Sequence, residues 1–512
     1  MVTAPHRLRR DDDMSESSLN HDTLIHDHHR SRLRRGAVLA VASIAQFMVV
    51  LDVTIINVAL PQMRTALHMS TSGQQWVINA YALTFAGFLM LGGRATDVFG
   101  RRRVFIIGLA TFTLFSLLGG FAQSGAELIA ARAAQGIGGA ILAPASLSLL
   151  TATFTELHER RRALGVWSAT AASGAAGGLF LGGLLTDLLG WRWVLFVNVP
   201  IGIALMAGAL LSLSESTDGL ANRRLDLGGA VTVTVGMALV VFGIVSTDSY
   251  AWSSARTVAT LIIGTAVLVS FVVIEGRFAS NPIVPLRTFR RRTLTLANVQ
   301  STVVGAVVFG CYFFLSLYLQ DVKHYSPLRT GLAFLPMGLM TFGGALAASR
   351  LVRRLGIRLQ LVIAPLVTAA AVFWLSRLTA DSSYPDSLLV PLLLVGASIG
   401  VTFVPLTMAA TMGVPRAESG LASGLLNTSR QVGGALGLAV LATLATAATH
   451  RAAGHGAPHL AALTQGYTRG FLVIAALSVL GAVCAAFLGT STPGQDTGGE
   501  ASGESQLVEV TV

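Results

Sequence analysis

Residues 36–60 read GAVLAVASIAQFMVVLDVTIINVAL, apolar almost throughout, with a single carboxylate, Asp52. At about 1.5 Å per residue, a helix of this length spans the roughly 30 Å hydrocarbon core of a bilayer. Lipid offers no partner to unpaired backbone groups, so such a run crosses as a helix. Its continuous apolar character lacks the period-two alternation of a membrane barrel strand.

The same pattern recurs along the chain. Further apolar runs fall near 76–93, 104–124, 128–150, 163–188, 194–212, 227–246, 257–275, 294–318, 331–349, 359–378, 388–411, 420–447 and 470–489. Fourteen spans are therefore expected. By length alone, 512 residues suggest about three soluble domains. The composition excludes that: 53% of the chain is hydrophobic and only 12% charged, against about 25% charged in soluble domains. The fold class is an all-α polytopic membrane protein, and a soluble enzyme is ruled out.

Charge supplies the topology. The chain carries 36 basic residues against 25 acidic ones, and Lys323 is the only lysine. With the N-terminal tail placed in the cytoplasm, that tail and the inside loops hold 26 Lys and Arg, the outside loops 8. Arg132 and Arg430 remain within spans. Both termini are thus expected on the cytoplasmic side of the cell membrane. Membrane orientation accounts for the basic balance, so no nucleic-acid partner is implied. Residues 1–35 and 490–512 are polar and read as disordered tails. The first apolar run is too long for a cleaved signal peptide. Cys311 and Cys484 both lie in apolar runs and suggest no disulfide framework.

An internal repeat divides the chain. Gly93-Arg-Ala-Thr-Asp97-Val-Phe-Gly100-Arg101-Arg102-Arg103 follows the second span. A degenerate echo, Ser349-Arg350-Leu-Val-Arg353-Arg354-Leu-Gly356-Ile-Arg358, follows the tenth. Gly139 and Pro144 in the fourth span are matched by Gly400 and Pro405 in the twelfth. A shared offset of eight spans gives a six-helix bundle (36–214), two inserted helices with their linker (215–293) and a second six-helix bundle (294–489). Repeats of this kind build many secondary transporters, with the site between the bundles.

Few charges lie in lipid, so those present stand out. An ionised Asp52 at bilayer depth costs a few kcal/mol unless it faces the interior, pairs with a cation or takes a proton. Burial favours its neutral form and a nearby Arg favours its anion, a combination suited to loading and releasing a proton. A fixed structural ion pair is the alternative. Arg132, Gln135, Gly136 and Gly139 share one helix face, making Arg132 the candidate partner for proton coupling, although its depth also suits snorkelling to the surface. Asn427, Arg430, Gln431 and Gly434 form a similar face in the thirteenth span, with no acid in spans 9–14 to pair with Arg430. Asn57, Gln135, Asn427, Arg430 and Gln431 are the candidate cavity residues. Gly174, Gly177, Gly178 and Gly182 form a stripe in the fifth span, read as tight helix packing or direct ligand contact. Asp97 ahead of Arg101, Arg102 and Arg103 suggests a conformational latch beyond simple orientation. Trp76, Trp191 and Trp193 fall at span ends as interfacial anchors. The His-rich stretch at 21–29 reads as solvated tail rather than a metal site. No phosphate-binding Gly-Lys-Ser/Thr loop is present, and neither metal nor cofactor is implied.

With these residues in view, the chain resembles the major facilitator superfamily, specifically its fourteen-helix drug:proton antiporters (the EmrB/QacA-like branch). Gly93, Asp97, Gly100, Arg101 and Arg102 are similar to the superfamily's loop 2–3 motif, departing at Ala95 and Thr96. Leu51-Asp52-Val-Thr54-Ile-Ile-Asn57-Val-Ala-Leu-Pro61 resembles the branch's first-helix motif. Arg132-Ala-Ala-Gln135-Gly136, Trp191-Arg192-Trp193…Asn198-Val-Pro200 and Ser326-Pro327…Gly331…Pro336 are also similar. The resemblance implies proton coupling at Asp52 with Arg132 as modulator, a latch at Asp97 and Arg101, two six-helix bundles plus two inserted helices, and a monomer driven by the proton gradient. Leu179 stands where the antiporter motif usually has Pro, which questions a kink there. The tenth span, Gly331 to Ser349, lacks the acid that attracts cationic drugs in some members. The expected function is proton-coupled efflux of amphipathic small molecules. A solute uptake symporter, an exporter of an endogenous metabolite or lipid, and a membrane sensor are the rival readings, since fold does not fix direction.

Overall fold

The computed structural model describes residues 10–213, 226–248, 250–278, 284, 286–412, 414 and 419–488. Residues 490–512 and the side chains of the 21–29 histidine stretch lie outside what is described. Among the described residues every regular element is helical. Among the described residues, thirteen helices are long and apolar enough to cross a membrane. One of them, Pro327–Leu375, contains a non-helical Gly356 (φ 77°, ψ 162°) that divides it in two. The expected fourteen spans result.

In chain order they are α1 (Arg10–Ala66), α2 (Thr71–Phe99), α3 (Arg101–Gly120), α4 (Gly125–Thr153), α5 (Leu157–Leu189) and α6 (Trp193–Ser212). The inserted pair is α7 (Leu227–Val245) and α8 (Ala255–Val273). The second set is α9 (Arg292–Leu317), α10 and α11 (the limbs of Pro327–Leu375 before and after Gly356), α12 (Val390–Thr411), α13 (Ser419–Gly454) and α14 (His459–Ala486). α1 starts at Arg10, so residues 10–35 are helical where the polar composition suggested an irregular tail. No Gly or Pro interrupts them.

Backbone geometry reveals the repeat more sharply than the sequence. The described residues with positive φ come in pairs: His68 (48°) with His324 (52°), Gly100 (93°) with Gly356 (77°), and Gly190 (91°) with Gly456 (82°). Ser70 and Ser326 form a fourth pair, each capping the next helix with its hydroxyl. His68 and His324, Ser70 and Ser326, and Gly100 and Gly356 are separated by one and the same number of residues. Each pair joins equivalent spans of the two bundles.

Glycine sets how closely the helices approach. A Cβ added at Gly174, Gly178 or Gly182 on α5 would lie 2.9 Å from Phe47 O, 3.0 Å from Leu51 O or 2.6 Å from Ile55 O on α1. The stripe is therefore a packing seam, turn by turn, against the helix that carries Asp52. α5 runs unbroken through Leu179.

The bundles meet at one end and part at the other. A single apolar cluster joins Leu51, Ile55, Leu60 and Leu179 of the first bundle to Phe314, Phe334, Met337 and Leu441 of the second. At the opposite, arginine-rich end the buried clusters are separate for each bundle. Along one face of α5, a Cβ at Gly183 would abut Pro327 and Gly331 of α10, Ala176 abuts Gly338, and Gly165 has nothing within 4 Å. α5 and α10 thus diverge into a cleft toward the arginine-rich end. The inserted helix α7 lies across the α2–α13 side, where Val241 and Val245 pack with Ala82, Leu83, Ala435 and Ala439. Trp76 lies against Phe242 of α7, ring centroids 6.3 Å apart and the rings tilted. Of the three expected interfacial anchors, Trp193 is exposed, Trp76 is partly buried and Trp191 is buried.

Candidate functional site

Five helices of the first bundle converge on Asp52. α1 places this carboxylate inside the bundle with no exposed surface, and α4 brings Arg132, 1% exposed, against it. Arg132 Nη1 lies 2.6 Å from Asp52 Oδ2. Gln135 Nε2 donates to Asp52 Oδ1 at 2.8 Å, one turn along the helix face that the sequence assigns to both residues. Asn198 Nδ2, on α6, donates to the same Oδ1 at 2.9 Å. Asn198 is held in turn by Ser116 Oγ of α3 at 3.0 Å, and Ser116 donates to Leu195 O at 2.8 Å. Snorkelling is excluded for Arg132, because its guanidinium is spent on the carboxylate.

Arg132 has further partners. Nη1 donates to Gln135 Oε1 at 2.7 Å, Nε donates to Val77 O at 3.4 Å, and the guanidinium stacks on the Tyr81 ring at 4.3 Å. The glycines of this face admit α2: a Cβ at Gly139 would meet Tyr81 Oη at 2.8 Å and one at Gly136 would meet Tyr81 O at 2.5 Å. A neutral Asp52 thus leaves Arg132 with an amide oxygen, a carbonyl and a ring. In lipid, a carboxylate that can be neutralised without stranding its partner is suited to carrying a proton.

The other expected residues fall elsewhere. Asn57 turns its side chain back to Val53 O and Thr54 O on its own helix, at 3.0 and 3.3 Å. Arg430 Nη2 donates to Asn427 Oδ1, and its guanidinium lies 5.1 Å from the Phe403 ring centre on α12. Among the described residues no carboxylate pairs with it. Gln431 is buried beside it. Gly100 closes α2 and opens α3, Asp97 is exposed in the last turn of α2, and Gly93 faces the Pro144 ring of α4. Arg101 Nε donates to Ser148 Oγ of α4 at 3.0 Å, and Arg102 Nη2 donates to Leu210 O of α6 at 3.2 Å. These contacts brace the loop within the first bundle. Asn198, Ser116 and Tyr81 were not identified as site residues from sequence. Asn198 entered the sequence reading only through the resemblance, in Trp191-Arg192-Trp193…Asn198-Val-Pro200, without a role at the site.

Two six-helix membrane bundles related by a repeat, with a buried acid in one and a cleft between them, define a transporter of the secondary class. Comparison with known proteins names the family. The chain belongs to the Major Facilitator Superfamily, whose family model matches residues 42–438; it is a multi-pass membrane transporter and not an enzyme. It is 41% identical over 462 residues to the cephamycin export protein of Amycolatopsis lactamdurans, covering 89% of this chain and 94% of that one. It is also 41% identical to the puromycin resistance protein of Streptomyces alboniger, covering 87% and 89%. The tetracenomycin C resistance and export protein of Streptomyces glaucescens is 34% identical, covering 81% and 76%. Among solved structures, a bacterial homologue of the lysosomal transporter Spinster superposes with a TM-score of 0.60 at 18% identity, covering 90% of this chain and 99% of that one. The xylose transporter of E. coli gives 0.59 at 14%, covering 90% and 98%. At such identities these two speak for the fold alone.

Proposed function

We propose that this chain is a proton-coupled exporter of amphipathic antibiotics, a drug:proton antiporter of the fourteen-helix branch working by alternating access. The observation that carries the reading is the buried Asp52–Arg132 pair, completed by Gln135 and Asn198. The relatives named for antibiotic export and resistance support the cargo class and the outward direction. With the arginine-rich end cytoplasmic, the cleft between α5 and α10 opens to the cytoplasm and is the loading side. Drug enters between the bundles, with Arg430, Asn427 and Gln431 of the second bundle as its candidate contacts. A proton arriving from outside neutralises Asp52, frees Arg132 from its strongest partner and biases the bundles toward the loading side. Release of that proton to the cytoplasm restores the pair. Asp97 and Arg101 brace the α2–α3 turn that moves with this change. The chain works as a monomer in the cytoplasmic membrane, with both termini inside and no cofactor beyond the proton gradient.

The test is a drug-susceptibility panel in an efflux-deficient host, comparing wild type with Asp52→Asn at matched membrane levels. Protection by wild type and loss of protection in the variant support the reading. Equal protection by both removes Asp52 from the mechanism. Proton-driven accumulation of a solute by the host would favour the uptake symporter instead.

A further inference from the structure

Pro61 lies inside α1, on the same helix as Asp52. Proline has no N–H, so the carbonyl four residues earlier, that of Asn57, loses its helical donor. The opposite bundle supplies one. Ser316 Oγ of α9 donates to Asn57 O at 2.8 Å. Gln320, one turn beyond Ser316, donates through Nε2 to Val58 O at 3.0 Å and to Ser316 Oγ at 3.0 Å. Ser316 has no exposed surface, so no water reaches the freed carbonyl while the seam is shut. These bonds cross between bundles at the end where the common apolar cluster joins them.

We propose that Ser316 and Gln320 are gate-positioning residues: they clasp α1 at the carbonyl that Pro61 frees, and this end of the seam opens only when the clasp is released. The proposal deepens the transport reading above and rests on it for its place in the cycle. The physical logic lies in what replaces the clasp. A buried carbonyl without a donor is costly, so Ser316 favours the closed arrangement. Once the bundles part, water satisfies Asn57 O, and the net bias is only that of one or two exchanged hydrogen bonds. A bias that small is within reach of changes at a binding site. α1 carries both Asp52 and Asn57, so a shift of the helix at the proton site is transmitted along rigid backbone to the clasp.

The experiment uses the full chain purified in detergent, with Cys311→Ser and Cys484→Ser removing the native thiols and Thr186→Cys as reporter. Thr186 lies on α5 at the closed end, about one turn beyond Gly183, which abuts α10 of the opposite bundle, and is 1% exposed. A soluble maleimide reacts there only when the seam parts. Ser316→Ala is expected to raise the labelling rate about fivefold, and Gln320→Ala to raise it by a smaller factor. In a Pro61→Ala background the backbone regains its N–H, Asn57 O is satisfied from within α1, and Ser316→Ala then changes the rate by less than about twofold. The same factor in both backgrounds, or no rise in either, overturns the proposal. Labelling needs neither drug nor a proton gradient. A failed efflux reading therefore leaves this pattern unchanged, and the two ideas fall separately.

Discussion

Asp52 has three side-chain partners from two other helices, and two of them, Arg132 and Asn198, make different predictions. Arg132→Ala leaves a buried carboxylate without its cation, a loss of about 3–5 kcal/mol for a broken buried pair. Arg132→Gln combined with Asp52→Asn replaces the pair by neutral amides that still bond to each other. The double variant is therefore expected to unfold at a higher temperature in detergent than Arg132→Ala, without transporting; an equal or lower unfolding temperature would show that the pair's charge is not what the site balances. Asn198→Ala removes one donor to Asp52 Oδ1, at about 1.5–3 kcal/mol for a hydrogen bond to a charged group. Its expected effect is a weakened, still proton-dependent efflux, read from the initial rate against external pH. At this scale the sequence was informative because ionisable groups in lipid are few. Asp52, Arg132 and Arg430 stood out for that reason alone. Ser116 and Asn198 did not, because a hydroxyl or amide in an apolar run also satisfies itself on its own helix, as Asn57 does.

Among the helices, glycine and proline carry the specific information. Gly178 lets α5 lie against Leu51 O and the Thr54 hydroxyl. Gly178→Val forces the two helices apart beside Asp52. It is expected to reduce efflux to near background while the protein still reaches the membrane; normal efflux at normal expression contradicts the packing account. Gly100, at φ 93° and ψ 138°, joins α2 to α3 in a conformation costing a residue with a side chain about 1–3 kcal/mol. Gly100→Ala should lower the unfolding temperature, and so should Gly356→Ala at the equivalent joint. The number of helices was legible from apolar runs, which also separate 331–349 from 359–378 on either side of Gly356; their limits were not, since helices such as α1 (Arg10–Ala66) run well past the apolar stretch. The positive φ at Gly356 itself is invisible to composition. The clasp on α1 was not legible at all: Pro61 announces a missing donor, but which helix supplies it depends on how the bundles are placed.

At the scale of the whole molecule, the repeat and the seam explain how a buried acid in one bundle can govern access between two. Gly183 of α5 and Gly331 of α10 approach closely at the shut end, where a Cβ on one would lie 3.1 Å from the other's Cα. Cysteines replacing Ala176 of α5 and Gly338 of α10, where an added Cβ would lie 3.0 Å from that of Ala176, are expected to form a disulfide that stops efflux, reversed by a reducing agent. Continued efflux by the crosslinked protein contradicts a cycle that opens this end. α7 packs on both α2 and α13, so it spans the seam's flank, while α8 packs against α7 on the outer side. That the chain is a two-bundle membrane transporter could be read from its apolar runs, its charge distribution and its repeat. Which end is closed could not, because the sequence is compatible with both arrangements. The central claim, that Asp52 couples protons to drug export, is tested most directly in proteoliposomes of the purified protein. An inward proton gradient is imposed across the vesicles, and movement of a transported antibiotic is followed for wild type and Asp52→Asn. The account predicts gradient-driven antibiotic movement opposite to the proton flux in wild type, and none in Asp52→Asn with drug binding retained. Gradient-driven exchange by Asp52→Asn at the wild-type rate would contradict it.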